Sequence, residues 1–196
     1  MNKLSYFIVV CTFILQSCQG QSNSPKKIYN PDFKWTITIP ENFEKVSNDD
    51  WEKMQNKGAE AIEKTYEGEI VNRATIVFVF KSGQINYFES NYQPFDIATD
   101  GDYLENNIGV NEMLYNTFIT QMPGIKIDTT RTVEKIDNLE FQNFKMKVIY
   151  PNQMVLNVSM YSRLFKNKEF SVNIMYVDDK KGQQMLQAWK ASTFGK

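Results

Sequence analysis

The stretch from Leu139 to Phe194 constrains the fold most, because it reads as three consecutive strands closed by one amphipathic helix. Phe144, Met146, Val148 and Tyr150 alternate with Lys145, Lys147 and Ile149, so a pleated strand here has one apolar face and one that is mostly wetted. Pro151-Asn152-Gln153 supplies a turn, after which Met154, Leu156, Val158, Met160 and Leu164 repeat the pattern against Asn157, Ser159, Tyr161 and Arg163. Lys166-Asn167-Lys168 reads as a tight loop, since Asn167 tolerates a left-handed backbone. It leads to a third strand with Phe170, Val172, Ile174 and Tyr176 on one face, opposite Ser171, Asn173 and Met175. Connections this short join antiparallel neighbours, so the three strands form a meander. Asp178 or Asp179 suits the start of the next helix, where a carboxylate accepts free amide hydrogens and faces the positive end of the helix dipole. Met185, Leu186 and Trp189 form its apolar stripe, with Gln183, Gln187 and Lys190 turned to water. The pattern predicts the α+β class: an antiparallel sheet covered by helices on at least one face.

Composition narrows function more than fold. The chain of 196 residues has no histidine, which excludes Ser-His-Asp and Cys-His catalysis, histidine-ligated zinc and an imidazole switch near neutral pH. Its two cysteines, Cys11 and Cys18, both precede the globular part, which therefore forms no internal disulfide and no thiolate metal cluster. A formal charge of -1 gives no support for nucleic-acid binding. With 42% hydrophobic and 14% aromatic residues, the remainder suits one well-packed domain. No cofactor is expected.

Lys3 precedes an apolar run from Tyr6 to Leu15, short for a membrane span but suited to the core of a secretory signal. The run stops at Leu15-Gln16-Ser17-Cys18, which resembles the lipobox of bacterial lipoproteins. That resemblance implies cleavage after Ser17 and lipidation of Cys18, and several acyl chains on one residue anchor a protein stably. Polar, unpatterned residues follow, giving the expected organisation: 1–17 a lipoprotein signal peptide, 18–29 a lipidated N-terminus and tether, and 30–196 a single globular domain. No acidic cluster follows Cys18, and in lipoproteins similar to this one such a cluster directs surface display, so the periplasmic face is expected.

Along the rest of the chain, Phe33 to Ile39 alternates as a strand ended by Pro40. Ser47 with Asp50 approximates a capping box for a helix reaching Tyr66. A strand from Ala74 to Phe80, a turn at Ser82-Gly83 and a return strand from Gln84 to Phe88 come next. A second helix is expected over Asp102 to Gln121, stopped by Pro123-Gly124, and then a hairpin of Ile125–Ile136 with Leu139–Tyr150 about Asp137-Asn138. This order, with the opening from Phe33 to Val46 (FKWTITIPENFEKV) and the ending from Tyr176 to Phe194 (YVDDKKGQQMLQAWKASTF), resembles the PsbP/Mog-type α/β/α sandwich, the fold also of DcrB-type envelope lipoproteins. The resemblance implies a habit of binding or assisting partners and carries over no catalytic residue.

Three groups invite a chemical reading. Asp96, Asp100, Gly101 and Asp102 suggest a calcium loop, but Ala98 and Asn107 stand where the central ligand and the bidentate glutamate belong, so a helix-capping turn is the better account and no metal is expected. Asp49-Asp50 and Asp178-Asp179 read as helix starts rather than catalytic pairs. Tyr87, Phe88, Tyr92 and Phe95 crowd a segment rich in Ser, Asn and Pro, and either form a partner-contact surface or fold over the edge of the core. The expected function is a lipid-anchored, non-enzymatic envelope protein that binds another envelope protein or helps assemble one. A small-ligand carrier is the alternative, and a carboxylate-dependent enzyme would need a buried, cleft-lining acidic pair.

Overall fold

The computed structural model describes residues 25–69 and 71–195. Cys18, the signal segment and most of the tether lie outside the described residues. Chain order is β1 (Lys26–Asn30), β2 (Trp35–Ile39), β3 (Glu44–Lys45), α1 (Asn48–Tyr66), β4 (Thr75–Lys81), β5 (Tyr87–Pro94), α2 (Ile97–Asp100), α3 (Tyr103–Gln121), β6 (Lys126–Ile136), β7 (Leu139–Ile149), β8 (Val155–Phe165), β9 (Lys168–Tyr176), α4 (Asp179–Lys190) and β10 (Thr193–Phe194). The class is α+β.

Seven strands form one antiparallel sheet in the order β3-β4-β5-β9-β8-β7-β6. The meander read from the sequence supplies its β7–β8–β9 half. Asp137 and Asn138 both take positive φ, as a tight hairpin turn needs. In the β8–β9 turn the left-handed residue is Lys166, one position before the asparagine expected to adopt it.

A second sheet, β1-β2-β10, was not legible. Its centre is β2, the Phe33–Ile39 strand of the sequence reading. β1 pairs with β2 through all five residues from Lys26 to Asn30, so ordered pairing begins before the expected domain start at residue 30. This sheet and α4 cover one face of the seven-stranded sheet, while α1 and α3 cover the other. The result is three layers, the third of them part helix and part strand.

Three apolar clusters follow from this layering, the smallest being Val46, Trp51 and Val79 between α1 and the sheet. Phe33, Trp35, Ile37, Phe78, Phe88, Phe141, Tyr161, Phe170 and Trp189 pack between the sheets and α4. Phe144, Met146, Val148, Leu156 and Val158 pack under Leu114 and Phe118 of α3. The apolar faces of β7 and β8 therefore point to α3, whereas that of β9 points to the opposite side. Tyr161, expected on the wetted face of β8, is fully buried against the Trp189 ring, because α4 covers that face too.

The caps match their sequence signals. The Ser47 hydroxyl accepts from the Asp50 amide, and the Asp178 carboxylate accepts from the Lys181 amide. Gly182 in the first turn of α4 sits so close to Tyr176 that a Cβ there would overlap the ring.

Candidate functional site

Where β1 and β3–β4 diverge, the two sheets leave an open cleft of about 920 Å³. Strand register decides what faces it. On β1, Lys26 pairs with Ile39 and Ile28 with Ile37, and both isoleucines of β2 are buried in the inter-sheet core, so Lys26 and Ile28 point inward. On the opposite wall Lys45 pairs with Phe80, also a core residue, so Lys45 faces the cleft as well. A register shift between Ile76 and Phe78 brings Val77 onto the same side as Phe78, which a regular strand forbids. Ile28, Phe43, Val77, Phe78 and Phe80 give apolar walls beneath a mouth carrying Lys26 and Lys45, while Lys27, paired with Thr38, turns to the other face of β1.

The charges at this mouth do not cancel. Glu44, the carboxylate of the lining, is held by Lys81 at 3.4 Å. Among the described residues Lys26, Lys27 and Lys45 have no carboxylate partner, and Lys181 Nζ lies 5.4 Å from the Phe43 ring centre. The cleft therefore carries cationic side chains beside apolar ones, with Tyr29 and Asn30 in the same lining.

A second polar arrangement lies under α1 and α3. Glu89, only 2% exposed, accepts from Asn91 Nδ2 at 2.7 Å and Asn173 Nδ2 at 2.6 Å. Burial pushes its carboxyl up to about 7, although both amide bonds favour the ionised form. Nearby, Glu169 accepts from Ser162 Oγ at 2.6 Å and Gln93 Nε2 at 2.8 Å, and Ser162 Oγ is 2.8 Å from Tyr103 Oη of α3. Neither glutamate lines the inter-sheet cleft. Neutral donors hold both carboxylates inside the layer.

On the other face Glu134, partly exposed, meets Lys145 at 2.7 Å, Lys190 at 3.5 Å and Asn143 at 2.8 Å. Burial opposes ionisation there, but the lysines and the amide outweigh it and lower its pKa. This cluster ties β6 and β7 to α4.

The aromatic contact patch read from the sequence requires correction. Tyr87 to Pro94 is β5, an interior strand between β4 and β9, rather than a loop. Phe88 is 2% and Phe95 4% exposed. Tyr92 lies edge-on to Phe33 with Lys168 Nζ 4.6 Å above its ring, and Tyr87 packs on Trp51. The packing account is the one the structure supports: eight consecutive pairs with β9 leave no free loop, and the return strand begins later than expected.

The acidic groups have local duties. Asp96 and Asp102 cap α2 and α3, and Asp100 accepts from the Asp96 amide and bonds Arg73 at 2.8 Å. The Asp96 amide, then Arg73, lower the Asp100 pKa. Among the described residues no cluster of three or more acids, histidines or cysteines could hold a metal ion. The cleft itself escaped sequence reading because its walls come from three separated stretches of the chain, 26–30, 39–45 and 77–80. The only available signal was the run of lysines flanking Ile28, read as tether.

No family model matches the sequence, and no curated protein matches it. Among solved structures, the solution structure of cyanobacterial PsbP (CyanoP) from Synechocystis sp. PCC 6803 is similar with a TM-score of 0.56 and 11% identity, covering 92% of this chain and 99% of that one. A crystal structure from Bacteroides thetaiotaomicron VPI-5482 is similar with a TM-score of 0.45 and 10% identity, covering 88% of this chain and 49% of that one. The first likeness shows a PsbP-like fold.

Proposed function

We propose that this chain is a lipid-anchored, non-enzymatic binding or assembly-accessory module of the bacterial envelope. Lipid on Cys18 holds it at the membrane with its domain on the periplasmic side, and the cleft between β1 and β3–β4 is its contact surface. The observation that supports this reading is the cleft's chemistry: apolar side chains and unpaired lysines grip a ligand or a partner segment, and its one carboxylate is already engaged by Lys81. Sites of this kind bury apolar surface and use a few polar groups for orientation. Among the described residues the outer edge of β1 has no strand partner; it borders the cleft and adds backbone donors and acceptors.

The test is photocrosslinking in intact cells, with the crosslinker placed at Phe43 in the cleft and, as a control, at Val133 on β6. The expected result is a discrete adduct from Phe43 alone, in a protein that fractionates with membranes and loses that behaviour in Cys18→Ala. A wild-type protein with unmodified Cys18, or equal adducts from both positions, would overturn it.

A further inference from the structure

The same cleft has features that specify a ligand class, and the argument rests on reading it as the contact surface. Lys26 and Lys45 stand on opposite walls of the cleft and, by register, both face into it, so an acidic group there is offered an ammonium group from either side. Behind them lie Ile28, Phe43, Val77 and Phe78, which offer no polar side-chain atom to a ligand. The sequence adds a third fact: Lys26 stands eight positions after Cys18. A fully extended chain of that length spans about 28 Å, so an anchored Cys18 keeps the cleft within that distance of the bilayer surface. Anionic head, apolar tail and a membrane source describe one class of molecule.

We propose that the cleft holds a single-chain anionic amphiphile, such as a fatty acid. Its carboxylate lies between Lys26 and Lys45, and its hydrocarbon lies against Ile28, Phe43, Val77 and Phe78. An acidic peptide pairing with the β1 edge is the competing occupant. It would need the lysines and the strand edge but not the apolar floor.

The experiment uses the full chain in discs of neutral phosphatidylcholine, with two probes: a stearic acid carrying a diazirine near the end of its chain, and the corresponding stearyl alcohol. Mass spectrometry maps the labelled residues. Labelling by the acid should centre on Ile28, Phe43 and Val77 and should fall roughly tenfold for the alcohol, as loss of charge-assisted bonds predicts. Lys26→Gln/Lys45→Gln should give the same loss with the melting temperature preserved, while Lys147→Gln, on the exposed part of β7, should change nothing. Equal labelling by acid and alcohol, or labelling outside the cleft, would defeat the assignment, as would a lysine double variant that labels normally. If the variant loses stability, charge dependence is read from the two probes on the wild-type chain. Peptide analysis of Cys18 in the same sample separates the two claims. Cleft labelling with unmodified Cys18 overturns the anchor and keeps the ligand; lipidated Cys18 without cleft labelling does the reverse.

Discussion

Between the two sheets, Trp35 stacks on Phe78 at 4.9 Å and meets Phe170 and Trp189 edge-on at 5.1 and 5.9 Å. On the opposite side of the same sheet, β5 presents Tyr87, Glu89, Asn91 and Gln93 to α1 and α3, and β9 answers with Asn173 and Glu169. Both faces are covered, yet one is bound by ring contacts and apolar burial and the other partly by amide–carboxylate hydrogen bonds. The aromatic face gains stability from area removed from water, at about 25 cal/mol per Å². The polar face gains little net energy from each bond, but removing one partner is costly because it orphans a buried polar group. One face makes the fold stable, and the other ties β5, β8 and β9 to one another and, through Tyr103, to α3.

The most severe way to break this comparison is to empty the aromatic face. Trp35→Ala should lose about 3–5 kcal/mol by urea denaturation, as large-to-small changes in a closed core do. A loss below about 1 kcal/mol, within the range of an ordinary surface substitution, would show that the ring cluster is not the main source of stability.

The polar face should be sharpened by pH. Glu89 has its folded-state pKa raised from 4.5 to about 7, so the folded chain holds this proton more tightly than the unfolded one. Its contribution to stability is fully present below about pH 4.5 and is lost as pH rises through about 7, a change on the order of 3 kcal/mol. Glu89→Gln should remove that dependence and leave the variant at least as stable as wild type at pH 8. Asn173 Oδ1, buried without a partner, is available to accept from the new amide. Parallel stability–pH curves for the two proteins would refute the assignment.

A smaller effect tests the junction of α4 with the sheet. Gly182→Ala places a methyl group against the Tyr176 ring and should cost about 1–3 kcal/mol, whereas Gln187→Ala on the exposed face of the same helix should leave the melting temperature unchanged. Equal effects would mean that the helix does not approach β9 this closely. Smallest is Ser47→Ala, which removes the cap of α1 and should cost about 1 kcal/mol, checked by the same denaturation curves.

Sequence by itself determined the local structure wherever one signal repeated within a segment. The period of two in β7, β8 and β9 fixed the strands, Asp137-Asn138 fixed a hairpin, and Ser47, Asp102 and Asp178 fixed helix starts. These are contacts between near neighbours, and their chemistry is written in adjacent residues. Only the tertiary structure decided which side each strand buries, that Tyr87–Pro94 is an interior strand, and that Lys26–Asn30 pairs with β2. Alternation gives a strand two faces but does not say what covers each of them; that depends on β2, which is far away in the chain, and on the side to which α4 folds back. The same holds for the cleft and for Glu89. Lys26 and Lys45 share the cleft because two sheets diverge there, and Glu89 titrates high because helices from other segments exclude water from it.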